Sequence, residues 1–542
     1  AISAEQTDET RQSQTAPFEL ITDDIRRQLP ADIEDAYPVS QTQLGMLYHS
    51  ERERAHSAYH DILTHTVQLR FDEAAWRQAW HALVARHAIL RTAFDMDRYG
   101  EPLQLVYTGV NVPLEVEYQI GWSQAQRQAR LGQWIDREKV LGFDWQRPGL
   151  LRGQVFVHKD NGFVLGLSFH HAIMDGWSTS ILMRDLTQLY QAALADVSVE
   201  LPVMANAYRD YIALEQAALH DSQTLDYWQG VLATLQPTRV LSEDPTRGEG
   251  VERAMVPVSA EETARAKTLA ASLGVSLKSV LLAVHFKALS SLSGETELST
   301  GVVTNGRPES LGGESLLGLF LNSLPLTARV PSCSWSAWIK GLAKQEQALW
   351  SHRRYPMATL KREYGAELFQ TLFNYTHFRA YATQAEDGES LLFGRGAEGL
   401  EEAGFEHSNY GFILQAGLTP DSEQIYLMLE VDRGQYGKAD LSRAVELYRR
   451  CLSQLLAGAE GRCDEPVLDS TEVEQLSDWQ GEESDVTQDV WSLFEQQASE
   501  HGGRIAVREG AQSWSYSELL SRVAHWSGVL SGEGVTAGDA VG

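Results

Sequence analysis

The sequence predicts an α/β protein of two lobes, because strands interleave with helices on both sides of a midpoint at about residue 200. In the first half, Phe163-Val164-Leu165-Gly166-Leu167-Ser168-Phe169 follows a turn signal at Lys159-Asp160-Asn161-Gly162. It alternates bulky apolar with small residues, as a strand does. Beyond it, Ile181, Leu182, Leu186, Leu189, Tyr190 and Ala193 recur at helical spacing over Thr179 to Ala193, with Ser178 as the expected N-cap. Upstream, Trp76, Ala79, Trp80, Leu83, Val84 and His87 share one face of an amphipathic helix and read as core. In the second half, Ser259-Ala260-Glu261-Glu262 fits a capping box and Gly274 a helix stop. A second helix from about Ser276 to Leu292 then runs into a strand ending at Val303.

The 542 residues suffice for two or more domains, and 43% hydrophobic residues is ordinary for packed cores. No apolar run is long enough to span a bilayer and no basic-then-apolar leader opens the chain, so a cytoplasmic setting is expected. Cys333, Cys451 and Cys463 are too scattered for a disulfide framework or a metal cluster, which fits a reducing compartment and no metal. A net charge of −29 argues against nucleic acid and anionic membrane, since both need clustered cations. Residues 1–16 are polar and aperiodic and read as a flexible leader, whereas the connector from Pro17 to Pro30 is expected to order against the body. Residues 466–488, rich in acids, Ser, Thr and Gln, read as a linker.

Chemistry concentrates at the strand-to-helix corner Phe169-His170-His171-Ala172-Ile173-Met174-Asp175-Gly176-Trp177-Ser178. Continuing the strand period puts His171 on the face of Phe163, Leu165, Leu167 and Phe169, and His170 on the other. One histidine at most can then serve one substrate. An imidazole titrates near neutral pH and can take the proton of an amine or hydroxyl that attacks a thioester, so the corner points to acyl transfer. Asp175 lies beyond the strand, where it can brace the turn through a cation from elsewhere. Two histidines at a strand end also occur as hydrogen-bonded core residues, with the aspartate a mere turn former.

The corner resembles the HHxxxDG motif of the condensation domains of non-ribosomal peptide synthetases, and other segments resemble that family's motifs in order. Tyr37-Pro38-Val39-Ser40-Gln41-Thr42-Gln43-Leu44-Gly45-Met46-Leu47-Tyr48-His49 is similar to its opening motif, and Arg86-His87-Ala88-Ile89-Leu90-Arg91-Thr92-Ala93-Phe94 to RHxxLRTxF. Tyr208-Arg209-Asp210-Tyr211 resembles YxDY, Tyr227-Trp228 the pair that follows it, Gly306-Arg307-Pro308 the GRP segment and Gly318-Leu319-Phe320-Leu321-Asn322 the GxFxN segment. His352-Arg353-Arg354-Tyr355-Pro356 fits HQxYP with Arg353 in the glutamine position; Leu372-Phe373-Asn374-Tyr375 suggests the last motif. The resemblance covers roughly residues 35 to 460.

It implies two chloramphenicol-acetyltransferase-like lobes in a V-shaped pseudo-dimer with a central tunnel, an N-lobe over residues 32–200 after a leader and linker over 1–31, and a C-lobe over 201–465. It also implies an amide-forming acyltransferase. The donor acyl or peptidyl thioester and the acceptor aminoacyl thioester would arrive on phosphopantetheine arms of upstream and downstream peptidyl carrier domains, with no cofactor bound covalently here. His171 would orient or deprotonate the acceptor amine near the middle of the tunnel, and Gly176 offers a backbone N–H for the oxyanion. Asp175 would pair with Arg307, and His170 would pack on the far face of the strand. Trp177, Ser178 and Asn322 are expected to line the tunnel, a structural strand-end role for Asn322 staying equally open.

After the linker, Val490-Trp491-Ser492-Leu493-Phe494-Glu495 and Trp514-Ser515-Tyr516-Ser517-Glu518-Leu519 resemble the start of an adenylation domain over residues 489–542. The chain stops at Gly542 before any phosphate-binding loop, so it reads as a piece of a larger synthetase that does not itself activate an amino acid. Leu311-Gly312-Gly313-Glu314-Ser315 resembles a carrier's phosphopantetheine site but lies just before the GxFxN segment, which makes Ser315 a loop residue. Trp177-Ser178-Thr179-Ser180 departs from the Val-Ser-Trp-Arg of epimerases, and the DxxxxD of heterocyclisation domains is absent. The wording Gln43-Leu44-Gly45-Met46-Leu47 leans toward a D-configured donor. An ester-forming or free-amine-accepting variant, a coenzyme-A-dependent acyltransferase and a non-catalytic recruitment module stay open as alternatives.

Overall fold

The computed structural model describes the chain except residues 1–14, 53–58, 68, 159–161, 198–200, 202–203, 205, 241, 243, 245, 378–409, 420–422, 481–488, 511, 537–538 and 540–542. Most of the expected leader, the turn at 159–161 and part of the expected linker thus lie outside the described residues. The chain divides into two units, Ala1–Val467 and Leu468–Gly542.

The first unit holds two large hydrophobic cores and two smaller clusters among the described residues. One is built on a four-stranded sheet in the order His60–Val67, Phe163–His170, Leu151–Val157, Leu114–Tyr118, in which only the last pair runs parallel. Helices Glu73–Arg86 and Gly176–Leu194 cover one face, where Phe163, Leu165, Leu167 and Phe169 meet Trp76, Leu83, Leu186 and Tyr190. Helix Gln124–Leu141 covers the other, and Trp134 explains the small residues of the strand: a Cβ at Gly166 would stand 2.6 Å from its ring. The bulky-small alternation therefore records two helices packing at different depths on the two faces. A three-stranded sheet, Ile33–Pro38, Leu103–Tyr107, Thr92–Asp95, adjoins this lobe. Phe18, Ile21 and Leu29 of the expected connector pack there, against Ile33 and Leu105.

The other core surrounds a six-stranded sheet in the order Leu321–Arg329, Glu297–Asn305, Thr371–His377, Phe412–Leu418, Ile425–Asp432, Val251–Val256. Helix Ala260–Leu273 has the Ser259–Glu262 capping box and ends on Gly274 at φ 68°, a left-handed conformation that glycine adopts freely. Helix Leu277–Ser293, capped by Ser276, is buried along most of its length. Among the described residues no single helix is long and apolar enough to cross a membrane.

Membership of the two cores does not follow chain order. Tyr208, Tyr211 and Ile212 belong to the first core, and so do Leu316, Leu317 and Phe320, which reach it from the second half of the chain. Two free cysteines also meet: Cys463 N–H donates to Cys333 O at 2.9 Å, beside the antiparallel bridge Ser334–Arg462.

The second unit contains helices Ser470–Gln480, Val490–His501 and Tyr516–Gly532, with a hairpin of Ile505–Glu509 and Gln512–Ser515. The first of these helices replaces part of the expected linker. Its start is fixed by Asp469 and Glu472, each of which accepts the other's backbone N–H at 2.8 Å.

Candidate active site

The strand Phe163–His170 ends at its first histidine, and His171 opens a single 3-10 turn, His171–Ile173, before the helix at Gly176. His170 stays on the face of Gly166 and Ser168. Its Nδ1 accepts from the Ala172 N–H at 3.1 Å, which leaves Nε2 to donate to Ser50 Oγ at 3.1 Å. Burial, with His171 and His60 nearby, lowers its pKa to about 3, so it is a neutral structural ring. His171 is buried to 8% exposure, and its backbone N–H donates to Tyr59 O at 2.8 Å. Its Nδ1 lies 2.7 Å from Asp61 Oδ2, a residue that sequence reasoning missed.

The helix cap is Asp175, not Ser178. Asp175 Oδ1 accepts the Ser178 N–H at 2.7 Å, which makes Ser178 the third residue of the helix. The same carboxylate accepts from Arg307 Nη2 at 3.1 Å and, through Oδ2, from the Phe320 N–H at 3.2 Å. Arg307 also donates to Ser178 Oγ at 2.7 Å and to the Leu316 carbonyl, and stacks over the Phe320 ring at 4.1 Å. Burial pulls its pKa down and Asp175 opposes that shift; a guanidinium stays charged regardless. Ser178 Oγ donates to Gly318 O at 2.7 Å and accepts from Gly318 N–H at 3.1 Å. One aspartate, one serine and one arginine therefore stitch residues 175–178 to residues 307–320.

Two of the three tunnel expectations need revision on this geometry. Ser178 has no exposed surface and its hydroxyl is spent on Gly318 and Arg307. Asn322 is buried as well: Nδ2 donates to the carbonyls of Arg353 (2.9 Å) and Tyr355 (2.7 Å), and Oδ1 accepts from the Met357 N–H at 3.2 Å. Both are structural. Trp177 is 46% exposed, with Nε1 donating to Glu314 O at 3.1 Å, so it alone of the three keeps a surface to offer. Gly176 beside it is exposed at the helix start, where backbone N–H groups lack intrahelical partners.

Several of the remaining motifs support this corner. Gln43 donates to Ala172 O at 2.9 Å, directly after His171. Tyr208 OH donates to Leu319 O at 2.6 Å, and Arg209 reaches Asp35 at 2.7 Å. Arg353 donates to Asn305 O at 2.8 Å and Arg354 to Gly306 O at 2.9 Å, and both pair with Glu309, so they clamp the segment that carries Arg307. Gly313–Ser315 is a 3-10 turn. A cavity of about 640 Å³ opens on His170's side, with Glu51, His60, Asp97, Phe143 and Trp145 in its wall; Trp177, Ser178 and Asn322 are not part of it. No group of three metal-ligating side chains occurs among the described residues.

Residues 33–477 match the family model described as "Condensation domain", and the chain belongs to that family. AMB antimetabolite synthetase AmbE of Pseudomonas aeruginosa is 36% identical over 373 residues, 67% of this chain and 17% of AmbE. The first condensation domain of the calcium-dependent antibiotic synthetase, in complex with a substrate analogue, aligns with a TM-score of 0.62 at 20% identity over 79% of this chain and 99% of that one. The X-domain in the complex with OxyB from teicoplanin biosynthesis aligns at 0.65 and 18% identity over 84% and 99%. At such identities these likenesses are of fold: two chloramphenicol-acetyltransferase-like lobes.

Proposed function

We propose that this domain joins a donor acyl or peptidyl thioester to the α-amine of an acceptor aminoacyl thioester, both held on phosphopantetheine arms of carrier domains, in non-ribosomal peptide biosynthesis. The relatives support this reading, and the observation that carries it is the placement of His171. Its backbone is fixed by Tyr59 O and its imidazole stands beside a carboxylate, while its neighbour His170 is locked neutral.

In the proposed step the amine nitrogen attacks the donor carbonyl as His171 Nε2 orients it or takes its proton. The tetrahedral intermediate collapses by breaking the C–S bond, and the proton passes to the departing thiolate. The products are the amide on the acceptor arm and a free phosphopantetheine thiol. A model α-amine has a pKa of about 7.7 to 8.0, so positioning supplies much of the acceleration and the demand on the base is modest. The backbone N–H of Gly176, an exposed residue at the helix start, is the proposed oxyanion donor. Asp175 and Arg307 act on shape, by holding the helix start against residues 307–320.

Residues 489–542 are proposed as the beginning of an adjoining adenylation domain, and the proposed setting is the cytoplasm, consistent with three free cysteines. The likeness to an X-domain, reported in complex with OxyB, keeps a recruitment module as the second reading, because fold does not settle chemistry. Mass spectrometry of carrier-bound products separates them. A panel of aminoacyl- and peptidyl-loaded donor carriers is offered with an aminoacyl acceptor carrier; a condensed product on the acceptor arm supports the proposal, and a folded protein that yields none across the panel overturns it in favour of recruitment.

A further inference from the structure

The strand that carries the histidines pairs antiparallel with His60–Val67, in a register that sets His60 opposite His170 and Asp61 opposite Phe169. Where that register ends, the His171 N–H donates to Tyr59 O at 2.8 Å, which fixes the His171 backbone two residues from Asp61 in the facing strand. Phe169 and Asp61 project to the same side of the sheet, because opposite residues of an antiparallel pair share a face. The His171 ring turns to that side and brings Nδ1 to 2.7 Å from Asp61 Oδ2, with about a tenth of each side chain left exposed.

We propose that Asp61 is a positioning residue for His171: it accepts a hydrogen bond from Nδ1–H, holds the plane of the ring and fixes the tautomer whose lone pair lies on Nε2. The carboxylate also balances the imidazolium that forms when Nε2 takes a proton from the amine. That proton leaves again from Nε2 to the departing thiolate, so the Nδ1 hydrogen stays on the ring throughout, directed at Asp61, and no proton passes to the carboxylate. The contact is short, while its angle departs from a straight hydrogen bond. Such contacts straighten when substrate fills a site. The contrast with His170 is informative. That ring has neutral partners on both nitrogens, Ala172 N–H and Ser50 Oγ, and no carboxylate at hydrogen-bond distance among the described residues. Two adjacent histidines are thus given opposite surroundings, one suited to packing and one to carrying charge for a moment.

This inference rests on His171 as the group that handles the amine, so the test keeps the two apart. Asp61→Asn, Asp61→Glu and His171→Ala are assayed in the same condensation reaction, and the protein is labelled with ¹⁵N-histidine. The His171 resonances are those lost in His171→Ala. Expected for Asp61→Asn is a fall in kcat of about ten- to a hundredfold with the KM for the loaded acceptor carrier unchanged. The ¹⁵N shift of Nδ1 is expected to move from the protonated value toward a mixture of tautomers, and Asp61→Glu to recover part of both. Wild-type kcat in Asp61→Asn, or an unmoved Nδ1 shift, overturns the role of Asp61. Full turnover by His171→Ala overturns instead the reading of His171, while the Nδ1 shift in the parent protein still reports whether Asp61 holds the ring.

Discussion

Asp175 and Arg307 are both buried, and among the described residues neither has another full charge at hydrogen-bond distance. Removing one partner strands the other, at a cost of about 3–5 kcal/mol, whereas removing both leaves only polar and packing losses. Asp175→Ala and Arg307→Ala are each expected to lower the urea midpoint strongly, and the double variant by clearly less than their sum; additive losses would contradict a direct pair. Glu215 supplies a pH signature. Burial raises its carboxyl to about 7, although it accepts the Gln41 N–H at 3.0 Å. Its unfolded value is the lower one, so the folded state favours the neutral acid. The stability tied to Glu215 is complete below the unfolded value and is lost as pH rises toward about 7, by roughly 3 kcal/mol at about 1.36 kcal/mol per unit. Glu215→Gln mimics the neutral acid, so its stability relative to wild type should rise between pH 5 and pH 8 in paired urea titrations. A constant difference would contradict the account. At this scale the sequence offered His170, His171 and Asp175 through their spacing, and Arg307 through family resemblance. Asp61 was not legible, because its partnership depends on strand register, and nothing in Tyr59-His60-Asp61-Ile62 announces which strand it will face.

The segment 306–320 is the element on which the site turns. It leaves the sheet of the second core, contributes Arg307, and sends Leu316, Leu317 and Phe320 into the first. Gly318 is where it passes closest: an added Cβ would collide with the Tyr208 ring, whose hydroxyl holds Leu319 O. Gly318→Ala is expected to cost about 1–3 kcal/mol of stability by overpacking and to lower activity with it. Calorimetry that shows an unchanged melting temperature would contradict that close approach. Several elements were legible from local chemistry alone, such as the helix from Ala260, with its capping box and terminal glycine, and the strand through Leu165 and Leu167. Others needed a choice between equal signals. Asp175 and Ser178 are both good caps, and only the structure shows that the helix starts at Gly176. The helix Ser470–Gln480 was masked by its linker-like composition, although Asp469 and Glu472 carried a readable capping box. Thr371–His377 gave the faintest motif yet lies inside the six-stranded sheet, parallel to both neighbours. Parallel pairing joins distant segments and leaves no local turn to find.

Across the whole chain, the condensation motifs are distributed over more than 300 residues, yet most of them converge on one corner. Gln43 holds Ala172 O, Arg307 holds Asp175, Tyr208 holds Leu319 O, and Arg353 and Arg354 hold the backbone around Arg307. The two-lobed architecture was legible because each half carries its own strand and helix patterns. The crossing of residues 316–320 into the other lobe's core was not, since their apolar character fits either core equally well. In the proposed function this assembly presents His171 to an amine beside a thioester. The most direct test is a single-turnover comparison of wild type and His171→Ala, with donor- and acceptor-loaded carriers in excess of neither partner and product followed by mass. Expected are amide formation by wild type and a loss of about a hundredfold or more in the rate constant for His171→Ala at an unchanged melting temperature. Equal rates from the two proteins would contradict that function.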